Sequence, residues 1–179
     1  MTITIRLARE AEIPALEQLI TRSVRGLSVG YYTPAQIESA LRYVFGVDTQ
    51  LIADGTYFVA EVEGALAGCG GWSKRQTLYG GDQHKAGADP LLDPATEAAR
   101  IRAFFVDPAF ARRGVGRQII AACEAAAQAA GFGQLELAAT LPGVPLYTAV
   151  GYHAIEPVEV PLPDGVTVPI VRMGKDLSA

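Results

Sequence analysis

Residues 105–117 read Phe105-Val106-Asp107-Pro108-Ala109-Phe110-Ala111-Arg112-Arg113-Gly114-Val115-Gly116-Arg117. An apolar strand end meets Asp107-Pro108, which stops it. An arginine-bearing turn follows, and Gly114 opens an Ala-rich helical run that continues to about Ala130 and ends at Gly131. The first amides of a helix have no intrahelical partner and carry the positive end of its dipole, so this arrangement suits an anion. Gly114 and Gly116 remove side chains that would block close approach, and Arg112, Arg113 and Arg117 add positive charge. Phosphate is the natural guest. A dinucleotide fingerprint is disfavoured, because Ile119 stands where the third glycine belongs and seven residues separate Val106 from Gly114. A Walker loop is disfavoured too, since no Gly-Lys-Ser/Thr is present.

Working outward, the chain reads as mixed α/β. Ile3 to Leu7 alternates as a strand, and Glu12 to Val24 repeats apolar residues at helical spacing. Thr33-Pro34-Ala35-Gln36 is a capping-box start for a second helix running to about Phe45. Thr56–Val62 and Ala65–Ser73 form a hairpin around Glu63-Gly64, with glycines at 68, 70 and 71 that suggest close approach by a neighbour or ligand. Residues 74–97 read as a long surface loop with one helical turn at most. Strands follow at Ile101–Val106 and Leu135–Ala139, then a short helix at Pro145–Val150 stopped by Gly151, then strands at about 152–160 and 167–174.

Composition narrows the class. The 179 residues suit one domain, 1–179, and half of them are hydrophobic. Fifteen Lys and Arg against 19 Asp and Glu give a net charge of −4, which argues against a nucleic-acid binder. Cys69 and Cys123 lie 54 residues apart without a CxxC or a nearby His, so neither a disulfide framework nor a metal site is expected. The opening Met1-Thr-Ile-Thr-Ile-Arg6 lacks a signal-peptide pattern, and no uncharged run stays apolar for about 18 residues. The expectation is a soluble cytoplasmic protein without membrane contact.

The 105–117 stretch resembles motif A of the GNAT superfamily of N-acetyltransferases, in which a V-x-P strand end leads into (Q/R)-x-x-G-x-(G/A). Ala111 stands where the family usually has Gln or Arg. Downstream, Leu146-Tyr147-Thr148-Ala149-Val150-Gly151-Tyr152 is similar to the family's L-Y-x-x-x-G-F/Y segment. Together with the order of elements, the resemblance covers about residues 3–156. It implies an α/β (α+β) fold with a mixed, mostly antiparallel central sheet of about six to seven strands flanked by about four helices. It also implies acetyl-CoA or another short acyl-CoA as acyl donor, and an amine acceptor attacked directly in a ternary complex; no second His or Cys stands at ligand spacing from His84, so no metal is expected.

By that resemblance the pyrophosphate sits on the amides of Arg112, Arg113, Gly114, Val115, Gly116 and Arg117. The pantetheine arm pairs with Phe104, Phe105 and Val106, and Tyr147 donates a proton to the departing thiolate. For the base that takes the amine's proton, Glu97 is the first choice because it lies just before the fourth strand; Asp82, His84, Glu61 and Glu136 are the others. Tyr31, Tyr32, Trp72 and Tyr79 are candidates for the acceptor pocket, with packing onto the sheet as the plain alternative. A non-catalytic acyl-CoA sensor of the same fold is the alternative function. The strands after residue 152 either complete the sheet or offer an edge to a second copy, which leaves a homodimer open.

Overall fold

A computed structural model describes residues 1–177. Seven strands, β1 (Ile3–Leu7), β2 (Tyr57–Val62), β3 (Ala65–Ser73), β4 (Ala99–Val106), β5 (Gln134–Thr140), β6 (His153–Pro161) and β7 (Thr167–Asp176), form one sheet in the order β1-β2-β3-β4-β5-β7-β6. Every pairing is antiparallel except β4 with β5. The helices are α1 (Ile13–Leu27), α2 (Pro34–Tyr43), α3 (Thr49–Ala53), α4 (Val115–Ala129) and α5 (Val144–Ala149). This is the expected mixed sheet. The C-terminal strands complete it, with β7 inside and β6 at the outer edge.

Hydrophobic patterning puts helices on both faces. Leu16, Leu19, Ile20 and Val24 repeat at helical spacing along α1 and pack with Val59 and Cys69 on one face. Ile119, Ile120, Cys123 and Ala127 of α4 pack with Ala67, Ile101 and Leu135 on the other. Both cysteines are buried and free. The capping box forms as its residues predict: the Thr33 hydroxyl accepts from the Gln36 amide at 3.1 Å, and the Gln36 side chain accepts from the Thr33 amide at 2.9 Å.

Two irregularities in β4 shape the centre of the molecule. It pairs with β5 only at Ala99–Leu135 and Arg100–Glu136, so beyond that point the two strands diverge. On its other side, Gly71 opposes Arg102 and Cys69 opposes Phe105, so two steps along β3 face three along β4. The extra residue is a bulge at Ala103, whose φ of 47° is left-handed. Bulges re-aim side chains, and here Phe104 turns to the α4 face while Phe105 turns to the α1 face.

Residues 74–98 contain no helix or strand but are firmly tied. Arg75 forks onto Asp54 at 2.8 and 3.0 Å, Lys85 reaches Asp48 and Asp89 at 3.1 Å, and Thr77 N–H donates to Asp89. Residues 46–55 lie between the expected second helix and the expected hairpin, where the sequence pattern predicts no element. There α3 forms, capped by Asp48, whose carboxylate accepts from the Gln50 amide at 3.0 Å.

Candidate active site

A cleft of about 550 Å³ opens where β4 and β5 separate. One end is the start of α4. Gly114 is its N-cap at φ 88°, a conformation that favours glycine, and it offers no side chain to cap the helix. The first amides of α4 are therefore left for a ligand. Arg112 just before it is also left-handed, at φ 60°. Asp107 holds the approach to this turn: it accepts from Ala109 N–H and from Arg22 of α1 at 2.9 and 3.0 Å.

The expected ligand-contacting residues Phe104, Phe105, Val106, Arg112, Gly114, Val115, Gly116 and Arg117 all line this cleft. Arg113 does not; its guanidinium lies 6.0 Å from the centre of the Phe110 ring. The glycines of β3 explain how the wall closes. A Cβ at Gly70 would strike the Phe104 ring, so the ring occupies space that only glycine leaves.

A second, smaller cavity of about 60 Å³ lies against β4 and β5 under Gly80 and Gly81. The two cavities share Phe45, Phe104, Phe105, Thr140 and Tyr147 as walls, so these residues mark their junction. Tyr147 is buried there, edge-on to Phe104 and to Tyr152, each with ring centres 5.8 Å apart. Burial raises its phenol pKa well above the ordinary value, because a phenolate would lose its hydration. The hydroxyl therefore stays protonated and able to donate.

The remaining candidates separate. Tyr31 lines the large cleft and Tyr79 the small cavity, with its ring 5.3 Å from that of His84. Tyr32 is a structural tie: its hydroxyl donates to the Pro169 carbonyl at 2.6 Å and accepts from the Leu141 amide at 2.9 Å. Desolvation pushes its pKa up to about 12. Trp72 is buried in the core on the α4 side, edge-on to Phe132, and lines neither cavity. Glu97 lies in the exposed turn before β4, beside the paired end of the β4–β5 seam, and lines neither cavity. Its nearness in sequence to β4 misleads, because the strands open at the opposite end.

The sequence reading missed three residues here. Arg102 is almost wholly buried and lines the small cavity; it donates to Asp48 at 3.0 Å and to the carbonyls of Thr77 and Gly80. Asp48 is fully buried and also meets Lys85. Tyr57 donates from its hydroxyl to the carbonyl of the bulged Ala103. In these contacts all three act through partners at least 22 residues away along the chain, which local patterns cannot show. Among the described residues, no group of three or more His, Cys, Asp or Glu is placed to hold a metal ion.

The model of the acetyltransferase (GNAT) family matches residues 21–152, and the chain belongs to that family. Solved structures share the fold. A GCN5-related N-acetyltransferase from Rhodopseudomonas palustris superposes with a TM-score of 0.74 at 20% identity, over 99% of this chain and 97% of that one. The PaiA N-acetyltransferase of Thermoplasma acidophilum, solved with coenzyme A, gives 0.66 at 13% identity over 98% and 99%. YncA of Salmonella typhimurium, a putative acetyltransferase solved with acetyl-CoA, gives 0.66 at 17% identity over 99% and 95%. No curated protein matches the sequence. Among the described residues no helix is long and apolar enough to cross a membrane.

Proposed function

We propose that this chain is a cytoplasmic N-acetyltransferase that moves the acetyl group of acetyl-CoA onto a primary amine of a small molecule or peptide. One observation carries the reading: the uncapped, glycine-started end of α4 and the buried residue Tyr147 line the same cleft, which lies in the opened β4–β5 seam. The α4 amides, with Arg112 and Arg117 at the rim, suit a pyrophosphate. The free edge of β4 past Arg100 offers backbone groups to an extended arm, as an added strand would use them. A thioester reaching the junction of the two cavities meets Tyr147 from one side and the acceptor from the other.

The chemistry follows from that placement. The amine attacks the thioester carbonyl, and a backbone N–H near the Ala103 bulge stabilises the charge that grows on oxygen. The C–S bond breaks, and Tyr147 gives its proton to the leaving thiolate. No carboxylate or imidazole lines either cavity among the described residues, so in this mechanism the amine sheds its proton to water.

Titrating the purified protein with acetyl-CoA in a calorimeter tests the reading without knowledge of the acceptor. Saturable micromolar binding is the expected result. Absence of heat at millimolar acetyl-CoA, together with no thiol release across a panel of amines, would overturn it. Binding with no turnover on any amine would favour the sensor.

A further inference from the structure

Arg102 is the polar floor of the small cavity, and its wiring is incomplete. Its Nη1 donates to the Thr77 carbonyl, and its Nη2 to Asp48 and to the Gly80 carbonyl. Its Nε–H has no partner and is the one buried side-chain nitrogen or oxygen left so among the described residues. Leaving a buried donor unpaired is costly, so an orphan of this kind calls for an explanation. A guanidinium presents Nε–H and one Nη2–H along a single edge. Nη2 of that edge donates both to Asp48 and to Gly80, and Arg102 and Gly80 are both walls of the small cavity, which is therefore the space an acceptor for the orphan N–H would come from.

The electrostatics narrow what could accept from it. Arg102 and Lys85 are set against Asp48 and Asp89, two cations against two carboxylates. Their formal charges cancel, so the cavity offers a hydrogen-bond donor more than a positive field. An incoming carboxylate would lose its hydration without a net charge to meet it, whereas a neutral carbonyl oxygen loses much less. The walls around it, including Val44, Phe45, Leu137 and Ala138, are apolar. Size is the last constraint. A volume of about 60 Å³ holds a few waters or one carboxamide-sized group, since a water needs roughly 10–15 Å³ on this measure.

We infer that the acceptor is a small amine bearing a terminal neutral carbonyl group, whose oxygen accepts from the Arg102 Nε–H in the small cavity while its nitrogen meets the thioester at the junction. The inference rests on the acetyl-transfer reading above and adds the chemical class of the acceptor. Arg102 is then a specificity-determining residue that binds the acceptor away from the reacting atoms. A site built to donate a hydrogen bond rejects analogues that lack the acceptor atom, because its own donor is left bare.

The test uses a ladder of ω-amino carboxamides of increasing chain length, each compared with the alkylamine and the amino acid of the same length. At one rung, kcat/KM for the carboxamide should exceed that of both partners by at least about tenfold. Arg102→Lys keeps a cation beside Asp48 but has no Nε–H, and should flatten that preference without changing acetyl-CoA affinity. Independently, the Arg102 Nε–H resonance of labelled wild-type protein should shift when the preferred carboxamide is added, with or without coenzyme A. A ladder on which no carboxamide is preferred, a preference that survives in Arg102→Lys, or an unmoved resonance overturns the inference. Loss of acetyl-CoA binding in the wild type would instead count against acetyl transfer, and the resonance reads the carboxamide site even then.

Discussion

The Tyr57 hydroxyl donates a 2.7 Å hydrogen bond to the carbonyl of Ala103, the left-handed residue at which β4 takes its extra step. Tyr57 is itself fully buried among α1-side residues, so the bulge is held from the core and not from the ligand side. Tyr57→Phe keeps the packing and removes only the hydroxyl. It should cost about 1 kcal/mol in urea unfolding, the ordinary net worth of such a bond. Turnover should fall with it, because the backbone that would meet the thioester in the proposed mechanism is set by the bulge. Unchanged turnover in a destabilised Tyr57→Phe would mean that the bulge holds its shape unaided.

Gly70→Ala should be worse than its size suggests. The new Cβ would strike the Phe104 ring and lie 3.1 Å from Ile119. Overpacking of this kind costs about 1–3 kcal/mol, and the ring's way out is into the cleft. Thermal melts and acetyl-CoA calorimetry should both show a loss. Gly133→Ala is the control, since a Cβ there meets nothing within 4 Å.

Tyr147→Phe should lower turnover by about two to four decades, the usual worth of a general acid, with acetyl-CoA affinity nearly unchanged. Burial disfavours the phenolate and raises the Tyr147 pKa. Turnover should therefore show no alkaline fall from this group up to about pH 10, where a free tyrosine ionises. A rate–pH profile settles the point, and equal rates for the two proteins would remove Tyr147 from the chemistry.

Acid should loosen the 74–98 loop through Asp54. The Arg75 fork holds the Asp54 carboxyl below its usual range. A carboxylate with a depressed folded pKa contributes stability that is present above its unfolded value of about 3.9 and is lost as pH falls through the folded value. Melting temperatures should thus stay level to about pH 4 on this account and drop below it. Asp54→Asn should be less stable at neutral pH and should lose this part of the acid slope. A variant with the same acid slope as wild type would show that other carboxylates dominate.

The parts of this molecule that sequence revealed are those built from neighbours. Gly114 after the arginines, Thr33 with Gln36, and the spacing of Leu16, Leu19 and Ile20 are local signals, and each lies where local physics puts it. The acceptor side was legible only as a set of aromatics, and they divide: Tyr31 and Tyr79 reach the cavities, while Tyr32 and Trp72 are spent on holding the sheet. Arg102 looked like one more strand residue. Its role comes from Asp48, 54 positions back, and from a loop that carries no regular pattern.

The short β4–β5 pairing carries a consequence for the whole chain. Two residue pairs join the β1–β4 part of the sheet to the β5–β7 part, so the backbone seam between them is mostly open. A ligand that bridges this seam would hold the native state together as well as being consumed by it. Unfolded chains cannot bind such a bridge, and the native state gains RT ln(1 + [L]/Kd) from it. Resistance to heat and to proteases would then follow the supply of that ligand, which makes the lifetime of the protein a readout of the metabolite it uses.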